Sequence, residues 1–192
     1  MVLNYDEKLL LWLNQALIGK SDLLDKVMIF LGVYLVYALP VILLLLWFLV
    51  KKQQRTLAFS FAGMLISWFF ITKLIVPSIW FRPRPELNVL GAKELLFHRP
   101  DYSFPSDHAT ALFALTFGLC FFGYKKASSW FLVYALIITI SRISLGVHFP
   151  LDIVGGIISG LIGASIVKLF ERGLDKAVWK PMIKFLKKIC LA

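Results

Sequence analysis

Five stretches of this chain, near residues 27–50, 56–76, 108–123, 129–147 and 150–170, are apolar for long enough to cross a bilayer or nearly so. A hydrocarbon core ~30 Å thick takes about 20 residues of helix, with roughly 17 to 25 tolerated. Inside lipid every backbone N–H and C=O must be satisfied within the chain, so such runs fold as helices. The expected architecture is therefore an all-α integral membrane bundle of about five transmembrane helices. The third run is short, and it has to borrow residues from its ends or sit inside the bundle.

The rest of the composition agrees. Of 192 residues, 59% are hydrophobic and only 17% charged, which lies outside the range of soluble domains. The net charge of +10 raises the question of nucleic acid. Because the basic residues lie between and after the apolar runs rather than along one polar face, the expected partners are membrane lipids and not nucleic acid. Cys120 and Cys190 are too few and too differently placed for a disulfide framework or a zinc site. Asp6 and Glu7 stand where a signal peptide carries lysines, so the chain reads as unprocessed.

Both ends look amphipathic. Residues 1–25 place Leu9, Leu10, Trp12, Leu13, Ala16 and Leu17 on one helical side, the pattern of an N-terminal interfacial or short membrane helix. Residues 171–192 alternate lysines with Val178, Trp179, Met182, Ile183, Phe185 and Leu186. That suits a basic helix on an anionic surface, interrupted or kinked at Pro181, with a disordered basic tail as the alternative. Residues 1–192 read as a single domain.

Cytoplasmic loops retain Lys and Arg. Lys51, Lys52 and Arg55 follow the first run, Lys125 and Lys126 follow the third, and Lys168, Arg172 and Lys176 follow the fifth. The three signals agree on a cytoplasmic C-terminus, which leaves loop 77–107 and the turn at 146–150 together on the external face. Loop 77–107 nevertheless holds Arg82, Arg84, Lys93 and Arg99. Cations on the side that usually lacks them point to an anion.

Three clusters meet on that face. In "FRPRPE", two Arg-Pro pairs hold the backbone extended and present Arg82 and Arg84, whose guanidinium forks suit phosphate. In "PSDH", Ser106 offers a hydroxyl and the following helix start offers amides to an anion, with Asp107 and His108 at the helix mouth. Capping is the plain alternative for Ser106. In "SRISLGVHFPLD", Arg142 ends one run, and His148 precedes Asp152 by four residues. Asp152 could accept from one imidazole nitrogen and leave the other free to attack. Ionisable groups at a membrane mouth are costly enough to imply function.

These residues resemble the type 2 phosphatidic acid phosphatase superfamily. Ser141, Arg142, His148 and Asp152 match its third motif in full, and Pro105, Ser106 and His108 match the second. Asp107 replaces a glycine, a variant similar to bacterial undecaprenyl-diphosphate phosphatases. The first motif is out of register: seven residues before Arg84 stands Pro77, and Lys73 lies one helical turn earlier, free either to reach the phosphate or to snorkel.

The resemblance implies a phosphatidic acid phosphatase-like fold and an integral-membrane phosphatase. His148 would form a phosphohistidine, Asp152 would orient it, and His108 would act as acid and then base. Arg84, Arg142 and Ser106 would bind the phosphoryl oxygens, Arg82 would add a contact able to hold a second phosphate, and Asp107 would favour the imidazolium of His108. No metal or cofactor is implied. The expected reaction is undecaprenyl diphosphate to the monophosphate at the external face of a bacterial-type plasma membrane. Phosphatidic acid, phosphatidylglycerol phosphate or a lipid A phosphate are alternatives, as is a non-catalytic lipid-phosphate binding or transport protein. His98 matches no motif position and reads as a surface-loop residue, while Arg99 could touch a headgroup.

Overall fold

The computed structural model describes residues 3–96 and 100–188. His98, Arg99 and Cys190 therefore lie outside the described residues.

Helix α1, Tyr5–Leu17, is closed at its start by a reciprocal pair of bonds. The Asn4 side chain accepts from the Glu7 amide and the Glu7 carboxylate accepts from the Asn4 amide, both at 2.9 Å. Four long apolar helices follow: α2 (Asp22–Leu49), α3 (Lys51–Ile79), α5 (Lys125–Ser144) and α6 (Pro150–Leu169), with the shorter α4, Asp107–Phe121, between the second and third of them. At 1.5 Å per residue the 20-residue helices are about 30 Å long, a membrane thickness. The protein is a multi-pass membrane protein. Each long helix starts or ends within a few residues of the run expected from sequence.

The short third run sits inside the bundle. Ala109, Leu112, Ala114, Leu115 and Leu119 of α4 are fully buried. α4 packs closely on α6, because glycines let the two backbones approach. A Cβ at Gly156 would stand 2.5 Å from the Ala109 Cβ and 2.9 Å from the Thr110 amide. A helix with protein on most sides has no lipid thickness to match, which is why 15 residues suffice. The outer helices instead turn Leu44, Phe48, Phe69, Phe70, Ile158 and Ile162 outward, the faces that lipid covers.

Two long helices are locally distorted. α2 widens to i→i+5 bonding over Phe30–Tyr34 and tightens over Leu35–Ala38 before Pro40, which has no amide to give. α3 widens over Ile66–Ile75 ahead of Pro77. Both distortions lie near the site.

α1 packs against α5 and α6 through Leu10, Leu11 and Asn14, while Leu9 and Trp12 stay exposed. The apolar side read from sequence is thus split between protein and surroundings. Asn14 Nδ2 donates to the Ser144 carbonyl at 2.8 Å and the Lys93 carbonyl at 3.0 Å, and Asn14 Oδ1 accepts from the Lys93 amide at 3.0 Å. The helix is tied into the site end of the bundle and clamps the loop that follows α3.

At the far end the tail is helical through Glu171–Leu174, a widened turn at Asp175–Trp179, and α7, Lys180–Lys188. Pro181 follows closely on the widened turn, as Pro40 and Pro77 follow the distorted segments of α2 and α3, and the helix continues through it without a break. Trp179 packs edge-on against Trp47 and Phe59, with centroids 6.3 and 6.5 Å away.

Candidate active site

The Arg-Pro segment is extended and bridged, Pro83 to Tyr102, with the Ser103 amide donating to the Arg82 carbonyl at 2.8 Å. In an extended chain residues two apart share a face. Arg82 and Arg84 therefore both point at the turn between α5 and α6, which carries His148.

His148 is 2% exposed. Its Nδ1 lies 3.0 Å from the Ser103 carbonyl and 3.6 Å from Asp152 Oδ2. A carbonyl can only accept, so Nδ1 carries the proton and Nε2 keeps its lone pair. The Asp152 carboxylate is occupied elsewhere: Oδ2 accepts from the Phe149 amide at 2.7 Å and Oδ1 from Arg82 at 2.8 Å. Asp152 stands on the third residue of α6, after Pro150, and the amide three residues earlier fixes it. The sequence expectation that Asp152 orients His148 is thus modified, since the closer acceptor is the Ser103 carbonyl.

Nε2 of His148 lies 3.5 Å from Arg84 Nη1, which also donates to the Val147 carbonyl at 2.6 Å. Asp101 accepts from Arg84 Nε. Burial pushes the His148 imidazole well below its usual 6.5, and the Arg142 and Arg84 guanidiniums push the same way. A base kept neutral is a base able to attack.

Arg84, Arg142 and His108 line one cavity of about 230 Å³, together with Glu94, Gly146, Val147, Leu87, Leu96, Leu145, Val33 and Tyr37. That is smaller than the usual span of ~300–1,000 Å³ for pockets that enclose a whole ligand, and it suits a polar headgroup whose chain remains outside. Arg142 Nη1 donates to the Gly32 carbonyl at 2.8 Å, within the widened turn of α2. Gly146 takes a left-handed φ of +70° in the turn, and a Cβ there would strike Leu87 at 2.4 Å.

Of the expected site residues, Arg84, Arg142 and His108 line the cavity; His148 and Asp152 are buried beside it, His148 3.5 Å from Arg84, and three others are placed differently. Arg82 is not in the cavity wall: its two terminal nitrogens hold Asp152 and Asp6, and its guanidinium lies 4.1 Å above the Phe149 ring. Both ends are committed to carboxylates, so it stands behind the dyad rather than in front of a phosphate. Lys73 Nζ binds Asp107 Oδ2 at 2.6 Å and lies 5.2 Å over the Tyr102 ring, which leaves the cavity to the arginines and offsets the Asp107 charge beside His108. Ser106 makes no side-chain cap; its amide donates to the Asp152 carbonyl at 3.0 Å. Its Oγ is fully buried with no partner among the described residues.

Sequence reasoning passed over four residues the geometry brings in: Ser103, Asp101, Glu94 and Asp6. None falls in a motif. Only Asp6 gave a signal, as a carboxylate in an apolar helix.

Membrane-spanning helices that gather His108, Arg84 and Arg142 at one end around a headgroup-sized cavity, with His148 and Asp152 buried next to Arg84, define a class, the integral-membrane phosphatases. The PAP2 superfamily profile matches residues 56–174, and the chain belongs to that superfamily. It is 30% identical over 166 residues to the putative undecaprenyl-diphosphatase YbjG of Escherichia coli (strain K12), covering 85% of this chain and 81% of that one. It is 31% identical over 176 residues to the undecaprenyl-diphosphatase BcrC of Bacillus subtilis (strain 168), covering 84% and 90%. The fold is similar to that of Aquifex aeolicus LpxE, with a TM-score of 0.67 over 86% of this chain and 95% of that one; at 23% identity this is a likeness of fold alone.

Proposed function

We propose that this protein hydrolyses undecaprenyl diphosphate, or a closely similar polyprenyl diphosphate, to the monophosphate and inorganic phosphate through a phosphohistidine on His148. One observation carries the reading: the Nδ1 proton of His148 is held by the Ser103 carbonyl, with Asp152 3.6 Å away, so that a neutral Nε2 lies 3.5 Å from Arg84, whose guanidinium forms part of the cavity wall.

In the first step the Nε2 lone pair attacks phosphorus in line, the bond to the leaving oxygen breaks, and His108 gives that oxygen its proton. Arg84 exchanges its bond to the Val147 carbonyl for a phosphoryl oxygen, and Arg142 neutralises a second. Ring positive charge in the phosphohistidine is met by Asp152, 3.6 Å from Nδ1. In the second step His108 takes a proton from water, the oxygen attacks phosphorus, and the P–N bond returns its electrons to Nε2. The route draws on no metal.

Val33 and Tyr37 are the part of the apolar lining that α2 supplies. They give the lipid chain a path along the membrane-facing side. The names of the relatives support a polyprenyl diphosphate; phosphatidic acid, phosphatidylglycerol phosphate and lipid A phosphates use the same chemistry and are the alternatives. The basic residues at the opposite end, Lys51, Lys52, Lys125 and Lys126, support an external site and a cytoplasmic C-terminus.

The test is a panel of these lipids in detergent with purified protein. Undecaprenyl diphosphate is expected to show the highest kcat/KM, with activity that survives EDTA and is blocked by vanadate. A preference for phosphatidic acid would overturn the substrate, and loss on chelation restored by magnesium would overturn the mechanism.

A further inference from the structure

We infer that Asp6, in the N-terminal helix, is a positioning residue of the active site, acting on Asp152 and His148 through Arg82. The inference rests on the phosphohistidine reading.

Asp6 is 8% exposed although it lies on the second residue of a helix at the edge of the bundle. Its Oδ2 accepts from Arg82 Nη2, and its Oδ1 accepts from the Leu151 amide at 2.9 Å. Leu151 immediately precedes Asp152. The other terminal nitrogen of Arg82 donates to Asp152 Oδ1 at 2.8 Å, and Asp152 stands 3.6 Å from His148 Nδ1. One carboxylate thus reaches the catalytic dyad twice, by side chain through Arg82 and by backbone through Leu151. A helix needing only a first-turn acid for its dipole would leave that acid in water.

The charges explain why the acid is needed. Arg82 alone on Asp152 would neutralise the carboxylate that must balance positive charge on the phosphorylated His148 ring. A second carboxylate on Arg82 divides its pull and restores net negative charge to the group. It also fixes the guanidinium as a rigid two-ended bridge, since a planar fork held at both ends has lost its rotamer freedom. Asn14 secures the same helix eight residues later, so α1 supplies both the anchor and the acid.

The sequence pattern fits this division of labour. Two Arg-Pro pairs are redundant if both arginines hold phosphate. They are not redundant when Arg84 serves the cavity and Arg82 serves the dyad.

The experiment uses the full chain in detergent. Asp6→Asn should lower kcat by roughly ten- to a hundredfold, as loss of an outer partner does, with KM changed less than threefold. Asp6→Glu, which keeps the charge, should recover most of the loss. Asp6→Asn combined with Arg82→Gln should be no slower than the slower single variant, because both act along one path. Melting temperatures in the same detergent identify any variant that fails to fold; if Asp6→Asn does, Asp6→Ser, which keeps an acceptor for Leu151, takes its place. Unchanged kcat, a loss carried by KM, no recovery with Glu, or multiplying losses in the double variant would each overturn the inference. His148→Ala in the same assay separates the two claims: hydrolysis that survives it defeats the phosphohistidine reading, whereas an inert Asp6 beside an essential His148 defeats only the positioning role.

Discussion

The two ends of the bundle hold similar ion pairs and use them differently. At the far end Arg55 donates to Glu171 at 2.9 Å and Asp175 at 2.7 Å, and Lys168 donates to Glu171 at 2.7 Å. The Lys168 ammonium, followed by Arg55, holds the Glu171 carboxyl below its usual range. The Arg55 side chain is 36% exposed, so these pairs are screened and tie the tail to α3 weakly. At the site end Asp152 is fully buried and Asp6 nearly so. There each charge needs its partner, because an uncompensated buried ion costs several kcal/mol. The same guanidinium and carboxylate groups make a surface strap at one end and a fixed electrostatic frame at the other, and burial alone separates the two.

The comparison can be broken at four points. The largest expected effect is at Arg84, which touches both the cavity and Nε2: Arg84→Ala should cost roughly 10²–10³ in kcat, the size of one lost oxyanion donor, measured by phosphate release. Arg82→Ala should cost roughly ten- to a hundredfold. It should do so equally on diphosphate and monophosphate lipids, because Arg82 faces the dyad and not the substrate. A selective loss on the diphosphate would return Arg82 to the phosphate.

Next comes pH. His148 holds its proton less tightly folded than unfolded, so below about 6.5 the unfolded chain binds a proton that the folded one refuses. Stability should then decrease as the pH is lowered below about 6.5, by about 1.4 kcal/mol for each unit of acidification, until the folded group titrates. Melting curves from pH 7.5 to 5 should show a shallower slope in His148→Gln, and parallel slopes would remove His148 as the cause. The smallest effect is at the far end. Arg55→Ala should cost about 1 kcal/mol of stability or less with kcat unchanged, as exposed pairs do. A large loss of activity there would erase the contrast between the ends.

What the sequence made legible follows from the physics at each place. Lipid demands long apolar runs, so the spans could be read directly; the length of the short α4 left open whether it borrowed residues from its ends or sat inside the bundle, and its packing on α6 decides for the interior. His148 and Asp152 are four residues apart on one turn, and Arg142 ends the preceding helix, so their meeting is local. The division between Arg82 and Arg84 was not legible. Identical neighbours in "RPRP" are told apart by Asp6, 76 residues away from Arg82, and by Asp101 and the Val147 carbonyl on Arg84. Lys73 was equally ambiguous, because it lies in the widened segment of α3, and Pro77 marks a distortion there without saying which way Lys73 faces. Ser103 contributes only a backbone carbonyl to His148, which no side-chain motif could report.

If His148 Nε2 takes the phosphoryl group, rapid quench of the purified protein with substrate carrying ³²P in its terminal phosphate will trap it there. A transient phosphoprotein is expected, stable to base and labile to acid, whose label maps to the peptide containing His148 and disappears in His148→Ala. Turnover at the normal rate with no labelled protein, or label on His108 instead, would contradict phosphoryl transfer to His148.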